Sequence, residues 1–347
     1  MHHSAAEGLL QVFEGRTADE SWRAAADLFK RGDETSRQPG RGGVTRELLP
    51  AVFVIQDPSQ RWVISRNPAM SVPFALVEII GIIAGRQDSE YLNFFNPRLP
   101  QFAGTGSVYP GAYGFRLRRH FGIDQLERVC AALERNTHSR QAVLQIWDAV
   151  VDVPLTDGSP ASPDIPCNLC SMLKLRDDRL YWTQILRSND LFRGTPYNFV
   201  QFSMLQEVVA GWLGVTIGSY TQLSDSLHVY EQDLQSLASF TPIDAPASED
   251  SFLLSKRTSD QLWSSLNKSV TELISPELVE KDIEEIARQQ DHAAAQNILV
   301  IVAADSARRR AYYDLAKDLS SRCTNPLLSL AWERWDLRTM RRESASR

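Results

Sequence analysis

Two cysteines lie three residues apart in the stretch DIPCNLCSMLKL, residues 164–175. A pair with this spacing could bind a metal, form a disulfide or supply a nucleophile. Structural zinc sites usually take four ligands from two such clusters, and the sequence has no second CxxC or HxxxH. Four cysteines in 347 residues do not make a disulfide framework, and they indicate a reducing, cytoplasmic setting. We expect Cys170 to be a small core residue, whereas the role of Cys167 depends on the rest of the chain.

Two further polar clusters follow segments that are predicted to be strands. RSND, residues 187–190, leads through FRGTPYN into a predicted helix, and SDSLHVY, residues 224–230, ends a strand. An arginine offers a planar fork of donors and a serine adds a hydroxyl, so the first cluster suits an oxyanion such as phosphate. The alternative is an ordinary loop with a solvated arginine and a capping aspartate.

Composition restricts the classes of function. The chain is 43% hydrophobic and 23% charged, which is typical of a globular protein with a sizeable core. Its net charge of -6 disfavours binding to a nucleic acid polymer. Its apolar runs are all shorter than the roughly 20 residues of a membrane span. The start, MHHSAAEGLLQVFEG, lacks the basic and apolar regions of a secretory signal, so we expect no membrane partner.

Hydrophobic periodicity and turn residues predict a mixed α and β chain. The predicted helices are residues 5–30, 74–85, 124–135 and 198–214. The predicted strands are residues 51–55, 61–65, 141–147, 172–175, 180–186 and 215–230. Residues 32–46 are expected to form a loop, and charged helices are expected after residue 240. The apolar run ILVIVAA, residues 298–304, is either a strand or the buried centre of a helix.

Together these segments resemble the thymidylate synthase family, and eight short motifs occur in the family's order over roughly residues 35 to 235. The motifs are VEIIGIIAG at 77–85, AYG at 112–114, IDQ at 123–125, SRQAVLQIW at 139–147, PC at 166–167, RSND at 187–190, GTPYN at 194–198 and HVY at 228–230. The resemblance implies an α+β thymidylate synthase fold with a large mixed β-sheet flanked by helices. It implies a catalytic domain over residues 1–240, with residues 241–347 as an added helical C-terminal segment packed on it.

The resemblance assigns Cys167 as a nucleophile that adds to C6 of a pyrimidine ring and thereby activates C5. Because the thiolate is the reactive form, a neighbouring cation is needed, and Arg187 is the candidate. Glu78 is expected to organise water and move protons. Tyr113 is expected to assist in removing the C5 proton. The cosubstrate implied is 5,10-methylenetetrahydrofolate, with Asp190 contacting its pterin ring.

The remaining site residues implied by the resemblance bind a pyrimidine nucleoside 5′-monophosphate. Arg187 and Ser188 would bind the phosphate, together with Arg140 donated across a homodimer interface. A further phosphate arginine is expected from the 32–46 segment, where Arg37 and Arg41 both qualify. The residues expected to bind the base and the sugar are Asn198 for the N3 and C4 edge, and His228 and Tyr230 for the sugar hydroxyl.

Departures from the family pattern bear on the product. Gly81 stands where the family has a tryptophan beside the one-carbon unit and the folate. Glycine leaves an indole-sized gap there unless another side chain fills it, and open space favours capture of a C5 methylene by water. Asn168 replaces a histidine and is expected to disturb the polar network around Asn198. Asn198 itself matches the N3–H and O4 of uracil better than cytosine.

The expected function is therefore one-carbon transfer to C5 of UMP, dUMP, CMP or dCMP, with hydroxymethylation preferred. Within the family, this chain most resembles the pyrimidine-nucleotide hydroxymethylase branch. The resemblance lies in RSND, in SLHVY and in an asparagine after the cysteine. Reductive methylation of the dUMP to dTMP type is the alternative. An alternative of another class is a catalytically silent protein that binds a nucleotide or a protein partner. A metal site at the CxxC pair is a third alternative.

Overall fold

The structure is a computed structural model that describes residues 10–32 and 34–345. Ten strands build two sheets. They are Gln11–Gly15 (β1), Ser36–Gly40 (β2), Gly43–Leu48 (β3), Ala51–Ile55 (β4), Val143–Gln145 (β5), Asn168–Arg176 (β6), Arg179–Leu186 (β7), Asn189–Asp190 (β8), Thr216–Ser224 (β9) and Leu227–Tyr230 (β10). The larger sheet has the order β1-β4-β9-β7-β6-β5, and the smaller has the order β2-β3-β10-β8.

The described residues also form helices. They are Ala18–Arg31 (α1), Val72–Ala84 (α2), Ser89–Asn93 (α3), Pro100–Ala103 (α4), Tyr113–Phe115 (α5), Gln125–Arg135 (α6), Ala149–Asp152 (α7), Thr195–Trp212 (α8), Leu234–Ala238 (α9), Lys256–Leu273 (α10), Glu280–Ile286 (α11), Ala293–Arg309 (α12), Tyr313–Ser321 (α13) and Pro326–Ala345 (α14). A π-helical turn, Arg116–His120, extends α5. The larger sheet mixes parallel and antiparallel pairs, so the predicted α+β class with a mixed sheet is confirmed.

The β6–β7 hairpin is the part of the sheet that positions the polar clusters. The two strands pair antiparallel from Asn168 to Arg176, and the turn is made by Asp177 and Asp178. Both turn residues have positive φ, at 49° and 53°, which matches a tight hairpin turn and the twist of its strands. The hairpin returns the chain so that Arg187 follows β7 beside the residue that precedes β6. The predicted strands and turn in this region are confirmed.

Helix α2 is buried on nearly all sides. Its sequence VPFALVEIIGIIA carries one charged residue, Glu78, and ends at Gly85 in the left-handed region with φ 69°. Helix α8 packs on it from one side, and α10, α12 and α14 of the C-terminal part pack on it from others. The run ILVIVAA is the buried centre of α12, so the helical alternative is the correct one.

Three predictions from the sequence are wrong. Residues 32–46, expected to be a loop, include the β2–β3 hairpin. The helix expected over residues 5–30 is replaced by β1 and α1 where the structure describes it, while residues 5–9 lie outside the described part. Residues 61–65 form no strand, because their polar groups bind side chains elsewhere: Arg61 pairs with buried Glu207, and Ser65 donates from its backbone and hydroxyl to Asp19.

The two faces of the larger sheet differ in what covers them. Helix α8 lies on one face, where Phe199 packs edge-on against Phe53 at 5.3 Å. On the opposite face the side chains along the central strands are half-exposed. They include Val52, Val54, Met172, Tyr181, Thr183, Ile185 and Leu223. Within the described ranges, no helix combines the length and the apolar character that crossing a lipid bilayer requires.

Candidate active site

Cys167 lies immediately before β6 and is partly exposed. The Arg187 backbone N–H donates to Cys167 O at 3.0 Å, and the Arg187 guanidinium donates to Pro166 O and Ile165 O at 3.0 and 3.2 Å. The β6–β7 pairing therefore holds the predicted cation against the segment that carries the predicted nucleophile. Burial raises the pKa of the Cys167 thiol, and the charges of Arg187 and Arg41 oppose that rise.

The β2–β3 hairpin places Arg37 and Arg41 differently. Arg41 reaches toward Cys167 and donates to Phe102 O at 2.9 Å and to Pro163 O at 3.4 Å. Arg37 turns away and forms a two-point pair with Glu231, at 2.9 and 3.0 Å. The spacing along the chain left both arginines open, whereas the geometry brings Arg41 alone to the Cys167 side of the hairpin.

Tyr113 interacts electrostatically with both Cys167 and Glu78. Gln201 on α8 donates to Glu78 Oε2 at 2.8 Å. Burial raises the pKa of Glu78 to about 8, and the Gln201 hydrogen bond opposes the rise. Burial also raises the pKa of Tyr113, with the nearby Cys167 and Glu78 acting in the same direction. Both side chains are half-buried. The raised pKa favours the protonated form of the Glu78 carboxyl, as a proton carrier requires.

Asn198, in the first turn of α8, belongs to a row of buried amides. Its Oδ1 accepts from Asn168 Nδ2 at 3.2 Å, and its Nδ2 donates to Asn189 Oδ1 at 3.2 Å. Asn189 Nδ2 in turn donates to Ser224 Oγ at 3.0 Å. Asn168 is therefore a direct member of the network around Asn198, and the expected disturbance relative to a histidine stays a prediction.

Asp190 and His228 are neighbours because β8 and β10 pair in parallel with these two residues in register. Asp190 Oδ1 accepts the backbone N–H groups of Phe192 and Arg193, each at 2.8 Å. Its Oδ2 is buried and has no hydrogen-bond partner in the described part of the chain. Burial raises the pKa of Asp190 and lowers that of His228, while the opposite charges of the pair counteract both shifts. The ring of Tyr230 lies 5.6 Å from that of His228.

Ser188 and Arg140, both expected to bind the phosphate, differ in burial and in position along the sheet. Ser188 is half-buried in the turn between Arg187 and β8. Arg140 is exposed just before β5, where Val143 pairs with Met172. Continuing that register puts Arg140 about eight residues along β6 from Cys167, or roughly 25 Å at 3.3 Å per residue. Arg140 therefore cannot reach the Cys167 cleft of its own chain.

Gly81 is buried under an aromatic ring that the sequence analysis did not single out. A Cβ added at Gly81 would lie 3.4 Å from Tyr91 Cε1. Tyr91 is fully buried, Arg86 stacks on its ring at 4.0 Å, and its hydroxyl has no hydrogen-bond partner in the described residues. The space that the missing tryptophan would leave is thus entered by a phenol from α3.

Sequence reasoning missed four residues that shape this site, namely Tyr91, Asn189, Gln184 and Gln201. The available signal was the set of polar residues within the largely buried helix α8, including Gln201, because buried polar groups need partners. The described residues contain no cluster of three or more His, Cys, Asp or Glu side chains suited to a metal ion.

One family model and several known proteins are similar to this chain. The thymidylate synthase family model matches residues 30–260. Deoxyuridylate hydroxymethyltransferase of Pseudomonas phage M6 is 37% identical over 214 residues, which cover 61% of this chain and 60% of that protein. Deoxyuridylate hydroxymethyltransferase of Bacillus phage SP01 is 35% identical over 217 residues, covering 59% and 55%.

An archaeal relative matches over a larger share of its own length. A putative thymidylate synthase of Methanothermobacter thermautotrophicus is 31% identical over 195 residues, covering 55% of this chain and 81% of that protein. The two phage proteins are matched over no more than about 60% of their own lengths. The family model, in contrast, covers most of this chain and contains every site residue described above. The chain therefore belongs to the thymidylate synthase family.

Proposed function

We propose that this protein transfers a one-carbon unit from 5,10-methylenetetrahydrofolate to C5 of a pyrimidine nucleoside 5′-monophosphate. What supports the proposal is a set of contacts: Arg187 binds the segment that carries Cys167, Tyr113 interacts with both Cys167 and Glu78, and Asn168, next to Cys167, bonds Asn198. Cys167, Arg187, Glu78 and Asn198 come from the start of β6, the end of β7, α2 and α8. Each is of the type that this chemistry needs: a nucleophile, a cation, a proton carrier and a base-reading amide.

Cys167 forms the covalent bond in this proposal. Its thiolate adds to C6 of the ring, the pair of electrons from the C5–C6 double bond moves to C5, and C5 becomes nucleophilic. Because burial raises the thiol pKa, ionisation depends on the cations that face it. Arg187 and Arg41 supply that charge. Glu78 enters with a proton on its carboxyl at pH 7 and is placed to exchange it with the base.

The phosphate site combines Arg187, Ser188 and Arg41 of one subunit with Arg140 of the partner subunit. The exposed position of Arg140, some 25 Å along the sheet from its own Cys167, supports donation to a second copy. The half-exposed face of the larger sheet offers the surface for that homodimer. Mixing Cys167→Ala and Arg140→Ala subunits tests this arrangement, because only a mixed dimer regains one intact site. Recovery of activity on mixing is expected, and absence of recovery in a proven mixed dimer contradicts the shared site.

Asp190 supports the folate assignment. Asp190 Oδ2 is buried and accepts no hydrogen bond, although Arg193 Nε lies 4.0 Å away, and an N–H donor of a pterin ring would satisfy it. When bound there, methylenetetrahydrofolate supplies carbon at the oxidation level of formaldehyde. His228 and Tyr230, on the neighbouring strand, are proposed to hold the sugar hydroxyl.

We favour hydroxymethylation as the reaction and uracil as the base. Gly81 removes the family's indole, and Tyr91 enters that space with an unpaired hydroxyl instead of a second indole. A polar group there is compatible with water as the acceptor of the C5 methylene. Relatives named deoxyuridylate hydroxymethyltransferases support the same choice of base and reaction. Reductive methylation is the second candidate, because relatives named putative thymidylate synthases also match.

Product analysis separates the two reactions. The protein is incubated with methylenetetrahydrofolate and each of UMP, dUMP, CMP and dCMP, and products are identified by mass spectrometry. Hydroxymethylation is expected with release of tetrahydrofolate. Formation of dihydrofolate, seen by its ultraviolet absorbance, in proportion to nucleotide turnover would establish methylation instead. A silent nucleotide-binding protein would bind a monophosphate without releasing tritium from its C5 position.

The two parts of the chain have different proposed roles. We assign catalysis to residues 1–240 and support of α2 to the helices of residues 241–347. Trp212 donates to Ser259 at 2.8 Å, and Arg338 of α14 donates to Ala69 O just before α2. A reducing, cytoplasmic setting stays a prediction from the cysteine content.

A further inference from the structure

The amide of Asn198 belongs to a longer row of hydrogen bonds whose direction is fixed at one end. Trp182 is buried on β7, and its Nε1 donates to Gln184 Oε1 at 3.1 Å. Ser171 Oγ donates to the same oxygen at 2.6 Å. An indole N–H can only donate, whereas a hydroxyl can donate or accept. Trp182 therefore fixes which end of the Gln184 carboxamide is its oxygen.

That choice is passed along the row. With its oxygen toward Trp182, Gln184 donates from Nε2 to Asn168 Oδ1 at 2.8 Å. Asn168 must then donate from Nδ2 to Asn198 Oδ1, and Asn198 must donate from Nδ2 to Asn189 Oδ1. The row ends at Ser224, whose hydroxyl can either accept from Asn189 or donate to it, so it permits both directions of the row. Trp182 is thus the one member of the row that can take part in one direction only.

Orientation of the Asn198 amide decides what it offers to a base. After these two bonds, Oδ1 retains one lone pair and Nδ2 retains one N–H, side by side at the tip of the carboxamide. Uracil presents a donor at N3 and an acceptor at C4, whereas cytosine presents the reverse at the same positions. An amide locked in one orientation pairs with one of these bases, and the flipped amide pairs with the other.

We propose that Trp182 and Gln184 are positioning residues that lock the Asn198 amide for uracil through Asn168. The inference rests on the proposed function, since it takes Asn198 to face the base. It adds that two side chains of β7, which do not touch the nucleotide, determine whether uracil or cytosine is bound. Rejection of cytosine then follows from two mispaired hydrogen bonds in a buried site, a situation that discriminates strongly.

Three variants test the lock. Trp182→Phe removes the indole N–H, so Ser171 can accept from a flipped Gln184 and both directions become possible. Gln184→Met removes the amide of residue 184 but keeps a side chain of similar length, so it interrupts the row of hydrogen bonds. Gln184→Glu, as a carboxylate, accepts from Trp182, Ser171 and Asn168 and so reverses the row. Trp212→Phe is the matched control, because Trp212 is another buried indole that donates to a serine, Ser259.

Affinities for dUMP and dCMP are measured by isothermal titration calorimetry without folate, so that turnover is not required. We expect the wild type and Trp212→Phe to prefer dUMP equally. The dUMP preference is expected to fall about tenfold or more in Trp182→Phe and Gln184→Met, and to invert toward dCMP in Gln184→Glu. Circular dichroism reports whether each variant is folded, and any one folded variant suffices. An unchanged preference in a folded variant would overturn the inference. UMP and CMP are titrated in the same way, and a wild type that binds none of the four monophosphates contradicts the proposed function itself.

Discussion

The region around Asn198, proposed to read the base, and two polar groups elsewhere differ in how completely they are hydrogen-bonded. Around Asn198 the amides of Asn168, Gln184 and Asn189 form a continuous row of hydrogen bonds. In contrast, Asp190 Oδ2, proposed to meet the folate, and Tyr91 Oη, next to Gly81, are buried without hydrogen-bond partners in the described residues. A paired network is rigid and ready to read a ligand, whereas unpaired buried groups carry a cost that a ligand can remove. Under the proposed function, the Asn198 network is preorganised for the nucleotide and Asp190 gains its remaining hydrogen bond from the folate.

Glu78 is the proposed proton carrier, and its replacement gives the largest expected effect. Glu78→Gln removes the proton carrier while keeping the hydrogen-bonding shape, so kcat is expected to fall about 10²- to 10⁴-fold. Rates of C5 tritium release measure this loss. Nucleotide affinity should stay within a few-fold of the wild type. A variant with near-normal kcat would show that Glu78 is not the proton carrier.

The same substitution has a pH signature in stability. Because burial raises the pKa of Glu78 to about 8 from 4.5, folding favours the protonated carboxyl. The contribution of the protonated Glu78 carboxyl to the free energy of unfolding is complete below pH 4.5 and is lost as pH rises through about 8. The free energy of unfolding of Glu78→Gln, relative to the wild type, should therefore increase by about 2 kcal/mol between pH 6 and pH 8. Urea unfolding at the two pH values measures it, and a pH-independent difference would contradict the raised pKa.

Asp190→Asn tests whether the unpaired oxygen awaits the folate. The variant keeps Oδ1 for the backbone N–H groups of Phe192 and Arg193 but replaces the charged acceptor at Oδ2. Loss of a hydrogen bond to a charged group should raise the KM for methylenetetrahydrofolate about 10- to 100-fold. The Kd for dUMP should change little. If dUMP binding falls as much as folate binding, the contrast between the Asn198 network and Asp190 is wrong.

Tyr91→Phe gives the smallest expected effect and addresses the other unpaired group. The variant keeps the ring against Gly81 and the stacked Arg86 but removes the buried hydroxyl. Since an unpaired buried hydroxyl costs free energy, the free energy of unfolding should rise by about 1 kcal/mol. Thermal unfolding measures the change. A clear loss of stability would mean that the hydroxyl has a partner and is not waiting for one.

Elements with one strong local signal could be predicted from the sequence. Helix α2 is apolar with a terminal glycine, and the β6–β7 hairpin alternates around two turn-forming aspartates. Residues 61–65 have the composition of a strand but are held irregular by the Arg61–Glu207 pair, which joins residues 146 positions apart. No local pattern contains such a contact.

The site residues also divide into those that a local motif predicts and those that distant contacts determine. Cys167, Arg187, Asn198 and His228 are placed by motifs, and the structure brings their elements together. The choice between Arg37 and Arg41 depended on Glu231, which pairs with Arg37 from the far end of β10. The occupant of the space beside Gly81 depended on Tyr91, which arrives on α3. Both are matters of tertiary packing, which neither spacing nor periodicity encodes.

The central claim is that Cys167 bonds to C6 of the pyrimidine, and trapping that adduct tests it most directly. With 5-fluoro-dUMP, C5 carries fluorine in place of the proton that must leave, so the covalent complex should accumulate in the presence of methylenetetrahydrofolate. Intact-protein mass spectrometry should show the added mass in the wild type and in Cys170→Ala, and peptide mapping should place it on Cys167. Cys167→Ser should show no adduct. A protein that binds the analogue without gaining mass, or gains it at another residue, would contradict the account.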